Sequence, residues 1–328
     1  MSRVVVFDEF GGPEVLRVVE QEPAEPAIGE VRVRMEAFAV NPLDLMMRSG
    51  ASPAPVPLPH SRLGVEGTGV IDALGPQATG WRVGEPVLLA AVADASAQGS
   101  YAEYVTVPAG RVVRRPAGFG VAEAAAVWVA FSTAYGALVE KARMRPGDHV
   151  LVTAASGAVG RVALQIARRI GAVPLAVTRH AARKHELLAA GAAAVVATDQ
   201  EDIAEAVAHH SGGTGADLVL DLVGGPGLNE VAAAARPGAT LVVAGFLDPR
   251  PTPLPAGPSL TTHGYRSFEH TLDPVVVQRM AFLDAGVRLG ALRPAVDDVA
   301  FSLDTVVEAH RRLESGLHGG RKVVATLS

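Results

Sequence analysis

The segment from His149 to Lys184 constrains this chain more than any other. His149-Val-Leu-Val-Thr153 is an apolar run of strand length, and Ala154-Ala-Ser-Gly-Ala-Val-Gly160 follows it as a turn of small residues. Arg161 to Gly171 carries apolar side chains at helical spacing and ends on a glycine. A second apolar strand, Val173 to Val177, runs into Thr178-Arg179. Strand, glycine-bearing turn, helix and strand in this order form a βαβ unit suited to a dinucleotide. Gly157 lets a pyrophosphate come close because no β-carbon stands there, and Gly160 lets the helix pack on the strand. The turn and helix start, Ser156, Gly157, Ala158, Val159 and Gly160, offer free N–H groups at the positive end of a helix dipole, which favours an anion. Ala155 replaces the usual first glycine, so the pattern is A-x-G-x-x-G.

The residues after the second strand separate the two nicotinamide dinucleotides. An acid there accepts hydrogen bonds from ribose hydroxyls, whereas an arginine attracts a 2′-phosphate that a carboxylate would repel. This chain has Thr178-Arg179-His180 and then Arg183-Lys184. Three cations at this place predict NADPH; the competing reading is a solvated basic helix face.

Length and composition fit such a protein. A chain of 328 residues can bury the cores of two domains. With 49% hydrophobic and 19% charged residues it is globular rather than disordered. A net charge of -5 offers no general attraction for nucleic acid or anionic lipid. Cysteine is absent, which excludes disulfides, a catalytic thiol and sulfur-ligated zinc, and the histidines show no ligand spacing, so no metal is expected. The Ala-rich stretches are interrupted by Arg or Glu, and Met1 to Phe10 reads as a strand rather than a leader. A cytoplasmic enzyme without a membrane span is the expectation.

The first third reads as short strands punctuated by Gly and Pro: Val4 to Val6, Leu16 to Val19, Glu30 to Met35, Gly67 to Ile71, Pro86 to Ala90 and Tyr101 to Val107. Ala51 to Pro59 is proline-rich and must be a loop. From about Gly120 helices alternate with strands: Ala122 to Val139, the motif, Ala181 to Ala190, Ala194 to Ala197, Ile203 to His209, Leu218 to Asp221 and Thr240 to Ala244. That alternation predicts a doubly wound parallel sheet. After the proline-rich stretch Asp248 to Pro258, helices are expected at Pro274 to Ala285 and Leu303 to Ser315, with a last strand at Lys322 to Thr326.

Further segments carry the pattern beyond the nucleotide motif. They are Asn41-Pro-Leu-Asp44-Leu-Met-Met-Arg48-Ser-Gly50, Leu63-Gly-Val-Glu66-Gly-Thr-Gly69, Gly99-Ser-Tyr101-Ala-Glu-Tyr104, Asp221-Leu-Val-Gly-Gly225 and Ala309-His310-Arg-Arg-Leu-Glu-Ser-Gly316. In order and spacing the chain resembles, nearly end to end, the zinc-free medium-chain dehydrogenase/reductases of the quinone oxidoreductase branch. The resemblance implies an α/β architecture: a doubly wound parallel-sheet (Rossmann) domain, residues 122–267, binds NADP and is inserted into a β-rich, GroES-like catalytic domain formed by residues 1–121 and 268–328. It also implies an active site between the two domains, a small-molecule substrate and a homodimer.

Asn41 matches an asparagine that in this branch lies beside nicotinamide and substrate, where an amide can donate to an oxyanion or fix the nicotinamide carboxamide; its alternative role is to bracket the turn before Pro42. Asp44 is a candidate to orient the site, or else the cap of the helix it begins, and Arg48 fits a structural ion pair equally well. Thr133 matches a cofactor contact, and Gly245-Phe246 follows the late strand where backbone passes the nicotinamide. Tyr265 and His263 are the candidate proton donors, with Tyr265 preferred and water as the substitute. Met46, Met47, Trp128, Phe246 and Phe268 can line an apolar pocket or simply belong to the core. Two departures from the branch are Met46 and Thr198, each where a tyrosine is common. Where the zinc-dependent relatives carry a histidine next to a glutamate, Val65 precedes Glu66. Without a Lewis acid, hydride needs an already polarised acceptor such as a quinone, an enone or an enoyl thioester. The alternatives are a metal-free ketone reductase or alcohol dehydrogenase, and a non-catalytic NADPH-binding protein. No Tyr-x-x-x-Lys occurs, which disfavours a short-chain reductase.

Overall fold

The computed structural model describes residues 1–327 other than 53, 91, 93, 256 and 268–274, so Phe268 and Pro274 lie outside the described residues. Alternating polarity in the first third becomes antiparallel sheet. The strands are β1 (Ser2–Phe7), β2 (Arg17–Gln21), β3 (Glu30–Val40), β4 (Ser61–Arg62), β5 (Gly67–Leu74), β6 (Pro86–Leu89), β7 (Tyr104–Pro108) and β8 (Val112–Arg114), with short helices α1 (Pro42–Ser49) and α2 (Ala95–Gln98) between them. Helix α3 (Val121–Tyr135) then leads into the alternating region: β9 (His149–Val152), α4 (Ala158–Ile170), β10 (Val173–Thr178), α5 (Lys184–Ala189), β11 (Ala194–Ala197), α6 (Ile203–His210), β12 (Ala216–Asp221), α7 (Leu228–Ala233), β13 (Ala235–Val243) and β14 (Thr261–Gly264). Helices α8 (Val275–Arg288) and α9 (Val306–Glu314) and strand β15 (Val323–Thr326) follow.

These elements form two compact units. The first comprises Met1–Val129, Thr271–Arg288 and Pro294–Ser328; the second comprises Ala130–His270 and Leu289–Arg293.

In the first unit, β15, β3, β5, β6 and β8 are neighbours in that order, with β7 also on β3, and every pairing is antiparallel. A smaller sheet, β2-β1-β4, accompanies them. Strand β3 shows why this register holds: Val31, Val33 and Met35 are buried while Arg32 and Arg34 are not, as a period of two requires. From Ala37 onward both faces are covered, because Ala37 and Ala39 pack with Ala125, Ala126 and Val324. Small side chains there let a helix lie close on the sheet.

The second unit is a six-stranded sheet in the order β11-β10-β9-β12-β13-β14, parallel throughout. Its core is Val, Leu, Ile and Ala from the strands and from α6 and α7. The chain goes from β9 to β10 and β11 on one side, then returns to place β12 on the other side of β9. The carboxyl ends of β9 and β12 are therefore the topological switch point, where open parallel sheets bind ligands.

Some elements depart from expectation. The helix expected to reach Val139 gives way to a wider π-type turn over Gly136–Lys141, in which Ala142 N–H donates to Ala137 O at 3.0 Å. Together Val121–Lys141 is long and apolar enough to cross a membrane, yet 78% of its most apolar window is buried inside the structure. Strand β14 has no alternating signal in its Thr-Thr-His-Gly sequence; it is held by parallel pairing of Thr240 to Val243 with Thr261 to Gly264.

The motif turn is tight. Ala154 adopts φ 44°, a left-handed conformation that costs an alanine about 1 kcal/mol. A β-carbon on Gly160 would lie 2.5 Å from Ala155 Cα and 2.7 Å from Ala154 O, both backbone atoms. Gly160→Ala should therefore lower unfolding free energy by roughly 1–3 kcal/mol, measured by chemical denaturation. Gly157→Ala, whose new carbon would meet only Ala154 O at 3.3 Å, should cost less; equal losses would refute this account of the turn.

Candidate functional site

The carboxyl edge of the parallel sheet gathers most of the residues expected to hold a dinucleotide. Residues 156–160 span the turn after β9 and the start of α4, Thr178 and Arg179 end β10, and Gly245 and Phe246 follow β13. Gly157 is the N-cap of α4, and the first turn of that helix has no acidic residue to compete for its dipole. A β-carbon on Gly157 would meet only Ala154 O, at a tight 3.3 Å, so the fold itself leaves little slack at this turn. At the switch point Thr153 Oγ1 donates to Asp221 Oδ1 at 2.7 Å and accepts from Leu222 N–H at 2.8 Å. Asp221 Oδ2 accepts from Gly224 N–H at 2.7 Å, so this carboxylate organises the loop after β12. Gly245 crosses that loop so closely that a β-carbon would sit 1.9 Å from Leu222 O. Phe246 beyond it is 53% exposed, and Thr133 is buried on α3.

The three expected phosphate-binding cations are not equivalent. Arg183 donates to Glu186 at 2.9 Å, and Lys184 pairs with Glu201 at 2.8 Å. Glu186 also pairs with Arg161, whose Nε donates back to Ser156 O at 2.9 Å. Arg179 is exposed and has no ion pair or hydrogen bond among the described residues. Two of the three charges are thus already offset, while Arg179 has no ion pair among the described residues.

A second polar constellation lies inside the first unit, and ladder register builds it. Val323 pairs with Val40 and Gly67 with Phe38, so Lys322, Asn41 and Glu66 each sit one residue beyond an apolar strand end. All three are buried. Lys322 Nζ donates to both Asn41 Oδ1 and Glu66 Oε1. Asn41 Nδ2 donates to Glu66 Oε1 at 3.0 Å and to Ala39 O at 3.3 Å. Glu66 Oε2 accepts from Val129 N–H at 2.9 Å. Both amide hydrogens of Asn41 are therefore engaged within the protein, and its Oδ1 accepts from Lys322.

Asp44 does not begin the helix. Asn41 is the N-cap of α1, and Asp44, three residues in, accepts its backbone N–H at 2.8 Å. The same oxygen, Oδ2, accepts from Tyr101 Oη at 3.0 Å, while Oδ1 has no partner among the described residues. Complete burial pushes the Asp44 carboxyl up to about 7, against the lowering effect of these two hydrogen bonds and of Lys322. Tyr101 is raised well above its ordinary range by burial and by Asp44. Tyr101 stacks on Phe38 and meets His310 edge-on. Arg48 makes the structural ion pair, with Glu314, and also donates to Gly11 O at 3.1 Å and to His310 Nδ1 at 3.1 Å. A guanidinium can only donate, so Nδ1 accepts and His310 is neutral; burial first, then Arg48, lower it to about 3.

The other candidates are scattered. Tyr265 is 2% exposed and its hydroxyl donates to Ser132 O at 3.4 Å, a placement that suits packing better than proton delivery. His263 lies half-buried on β14. Met47 and Trp128 are buried, Trp128 with its Nε1 donating to Ala90 O, and Met46 is half-buried. Lys322, Tyr101, His310 and Glu314 received no role from sequence; the available signal for Lys322 was a charged residue immediately before an apolar strand.

Known proteins resemble this chain over both of these regions. Residues 27–117 match the alcohol dehydrogenase GroES-like domain, and residues 158–271 match the zinc-binding dehydrogenase domain. The chain is 34% identical over 224 residues to quinone oxidoreductase 1 of Escherichia coli K12, covering 68% of this chain and 67% of that protein. The structure of Escherichia coli quinone oxidoreductase complexed with NADPH superposes with a TM-score of 0.88 at 25% identity, covering 99% of this chain and 100% of that one. A structure of an NAD-dependent alcohol dehydrogenase superposes with a TM-score of 0.86 at 31% identity, covering 99% and 100%. The zinc in the second domain's description finds no matching donors here: the chain has no cysteine, and among the described residues no group of three or more His, Asp or Glu could hold a metal ion.

Asp44 makes stability pH-dependent. Its folded pKa of about 7 lies above the ordinary 3.8, so between these values the folded state keeps a proton that the unfolded state releases. The contribution is complete below the lower value and is lost as pH rises through the upper one. Asp44→Asn retains an acceptor for Asn41 N–H and Tyr101 Oη but cannot titrate. Wild-type unfolding free energy should fall relative to that of the variant by up to about 1.4 kcal/mol per pH unit across this window. A gap independent of pH would overturn the assignment.

Proposed function

Because this chain belongs to the quinone oxidoreductase branch of the medium-chain dehydrogenase/reductases, a family of oxidoreductases, we propose that it reduces a quinone or an α,β-unsaturated carbonyl compound with NADPH and without metal. The observation that carries the cofactor choice is Arg179, exposed and unpaired among the described residues at the end of β10, where an NAD site would place an acid. Bound at the carboxyl edge of the sheet, the cofactor supplies a hydride from nicotinamide C4. The N-terminus of α4 and the turn through Gly157 receive the pyrophosphate, Arg179 the 2′-phosphate, and the backbone at Gly245 and Phe246 passes the nicotinamide. Asn41 takes part through Oδ1. Hydride addition to a β-carbon or quinone ring leaves an enolate or hydroquinone anion, and one proton completes the reduction. With Tyr265 buried and its hydroxyl on Ser132 O, solvent is the proton source in this reading.

The likeness to an NAD-dependent alcohol dehydrogenase favours a second reading, reduction of a simple ketone. A homodimer is part of the proposal, supported by β14: it ends the sheet, and no described strand covers its outer edge.

Consumption of NADPH with a panel of quinones, enones, enoyl thioesters and simple ketones separates the readings, and tight NADPH binding without turnover on any of them would leave a non-catalytic binding protein. Arg179→Asp should raise KM for NADPH roughly tenfold or more and change KM for NADH by less than about threefold. Equal loss of both would refute the phosphate role.

A further inference from the structure

We infer that Glu66 and Lys322 are positioning residues that lock the Asn41 side-chain amide in one orientation, so that its oxygen is the only group it can offer to cofactor or substrate. The inference deepens the proposed function and rests on its placement of Asn41 in the active site.

An asparagine amide can be turned end for end with little change in shape, and usually only its neighbours fix which end is oxygen. Here the neighbours leave no choice. Lys322 Nζ, an ammonium that can only donate, meets Oδ1, and Glu66 Oε1, a carboxylate oxygen that can only accept, meets Nδ2 at 3.0 Å. Turning the amide over would set the ammonium against an N–H group and the carboxylate against an oxygen. The second Nδ2 hydrogen is spent on Ala39 O at 3.3 Å, so no hydrogen is left for a ligand.

Both positioning groups are themselves held. Glu66 is fixed at its other oxygen by Val129 N–H at 2.9 Å and bonded to Lys322. Lys322 is set beside Asn41 by the pairing of Val323 with Val40, with Lys322 N–H donating to Ala295 O at 2.7 Å. A charge pair with so little exposure, 6% for the Lys322 side chain and none for that of Glu66, is costly to bury, and a pair of apolar residues could fill its place. What apolar residues could not do is distinguish the two ends of an amide.

The test is a double-mutant cycle on turnover of a quinone with NADPH. Lys322→Met alone strands a buried carboxylate and risks misfolding, so the working variant is Glu66→Gln with Lys322→Met, which removes both charges together. The amide that replaces the Glu66 carboxylate keeps its oxygen on Val129 N–H and turns its NH2 toward Asn41, so it no longer favours the orientation that the carboxylate sets. In the Asn41 background this variant should lower kcat about tenfold, as loss of one hydrogen bond implies, with KM for the quinone within about twofold. In an Asn41→Ala background the same two changes should lower kcat by less than about twofold, because there is no amide left to orient. Lys322→Arg, which keeps a donor-only cation, should recover much of the activity. An equal fall in both backgrounds would overturn the inference and assign the pair a purely structural role. Asn41→Ala with wild-type kcat and NADPH affinity would overturn the placement of Asn41 in the site, a failure visible before the cycle is closed.

Discussion

Glu66 carries a charge with no exposed surface, and the first unit is arranged so that this charge is always matched. Removing an ion from water costs several kcal/mol even after relaxation, and breaking a buried pair costs about 3–5 kcal/mol because one charge is stranded. Its partners come from three distant stretches of chain: the residue after β3, helix α3 and the residue before β15. None of these can shift register without unpairing the carboxylate. The hydrophobic core supplies the attraction between the sheets; the carboxylate specifies which residue of each strand end faces which.

The surrounding polar groups follow from the same cost. A region that already holds one buried ion pair is a poor place for further charge, and its neighbours respond by titration or by pairing. Asp44, pushed to about 7, spends much of the range below neutrality protonated, and His310, lowered to about 3, stays neutral. Arg48 cannot lose its proton and is paired with Glu314, whose side chain is 36% exposed and so keeps some hydration. Tyr101 links the two groups, with its hydroxyl on Asp44 and its ring between Phe38 and His310.

How much of this could be read from sequence depends on the range of each interaction. The nucleotide turn is local: strand, glycines and helix lie within one segment, and their spacing already carries the physical reason for each. The alternation of strands and helices likewise specifies a parallel sheet, since consecutive parallel strands need a crossover. The contacts of Asn41 are different in kind. Lys322 lies 281 residues away, and only the register of two ladders shows that the two meet. Arg183 and Lys184 have partners that composition alone does not reveal. They stand near the expected phosphate, but Glu186 and Glu201 engage them, and of these only the Arg183–Glu186 spacing of three along a helical turn was open to inspection. Strand β14 was invisible because its residues are polar and its only support is the neighbouring strand.

The geometry around Asn41 also bears on the class of acceptor. Reduction of a simple ketone builds charge on one oxygen, and without a metal that charge needs a donor already aimed at it. In the first unit the buried side-chain donors of this polar cluster already have partners: Asn41 Nδ2 has Glu66 and Ala39, Tyr101 Oη has Asp44, and Arg48 has Gly11, His310 and Glu314. Lys322 has given two of its three hydrogens to Asn41 and Glu66. A quinone or an enone asks less of the protein, because the added electron pair is spread over a conjugated system and the anion is stable enough to wait for a proton from water. Under the proposed function, a site built to hold an amide in its accepting orientation fits such acceptors better than a ketone whose alkoxide would have to be stabilised as it forms.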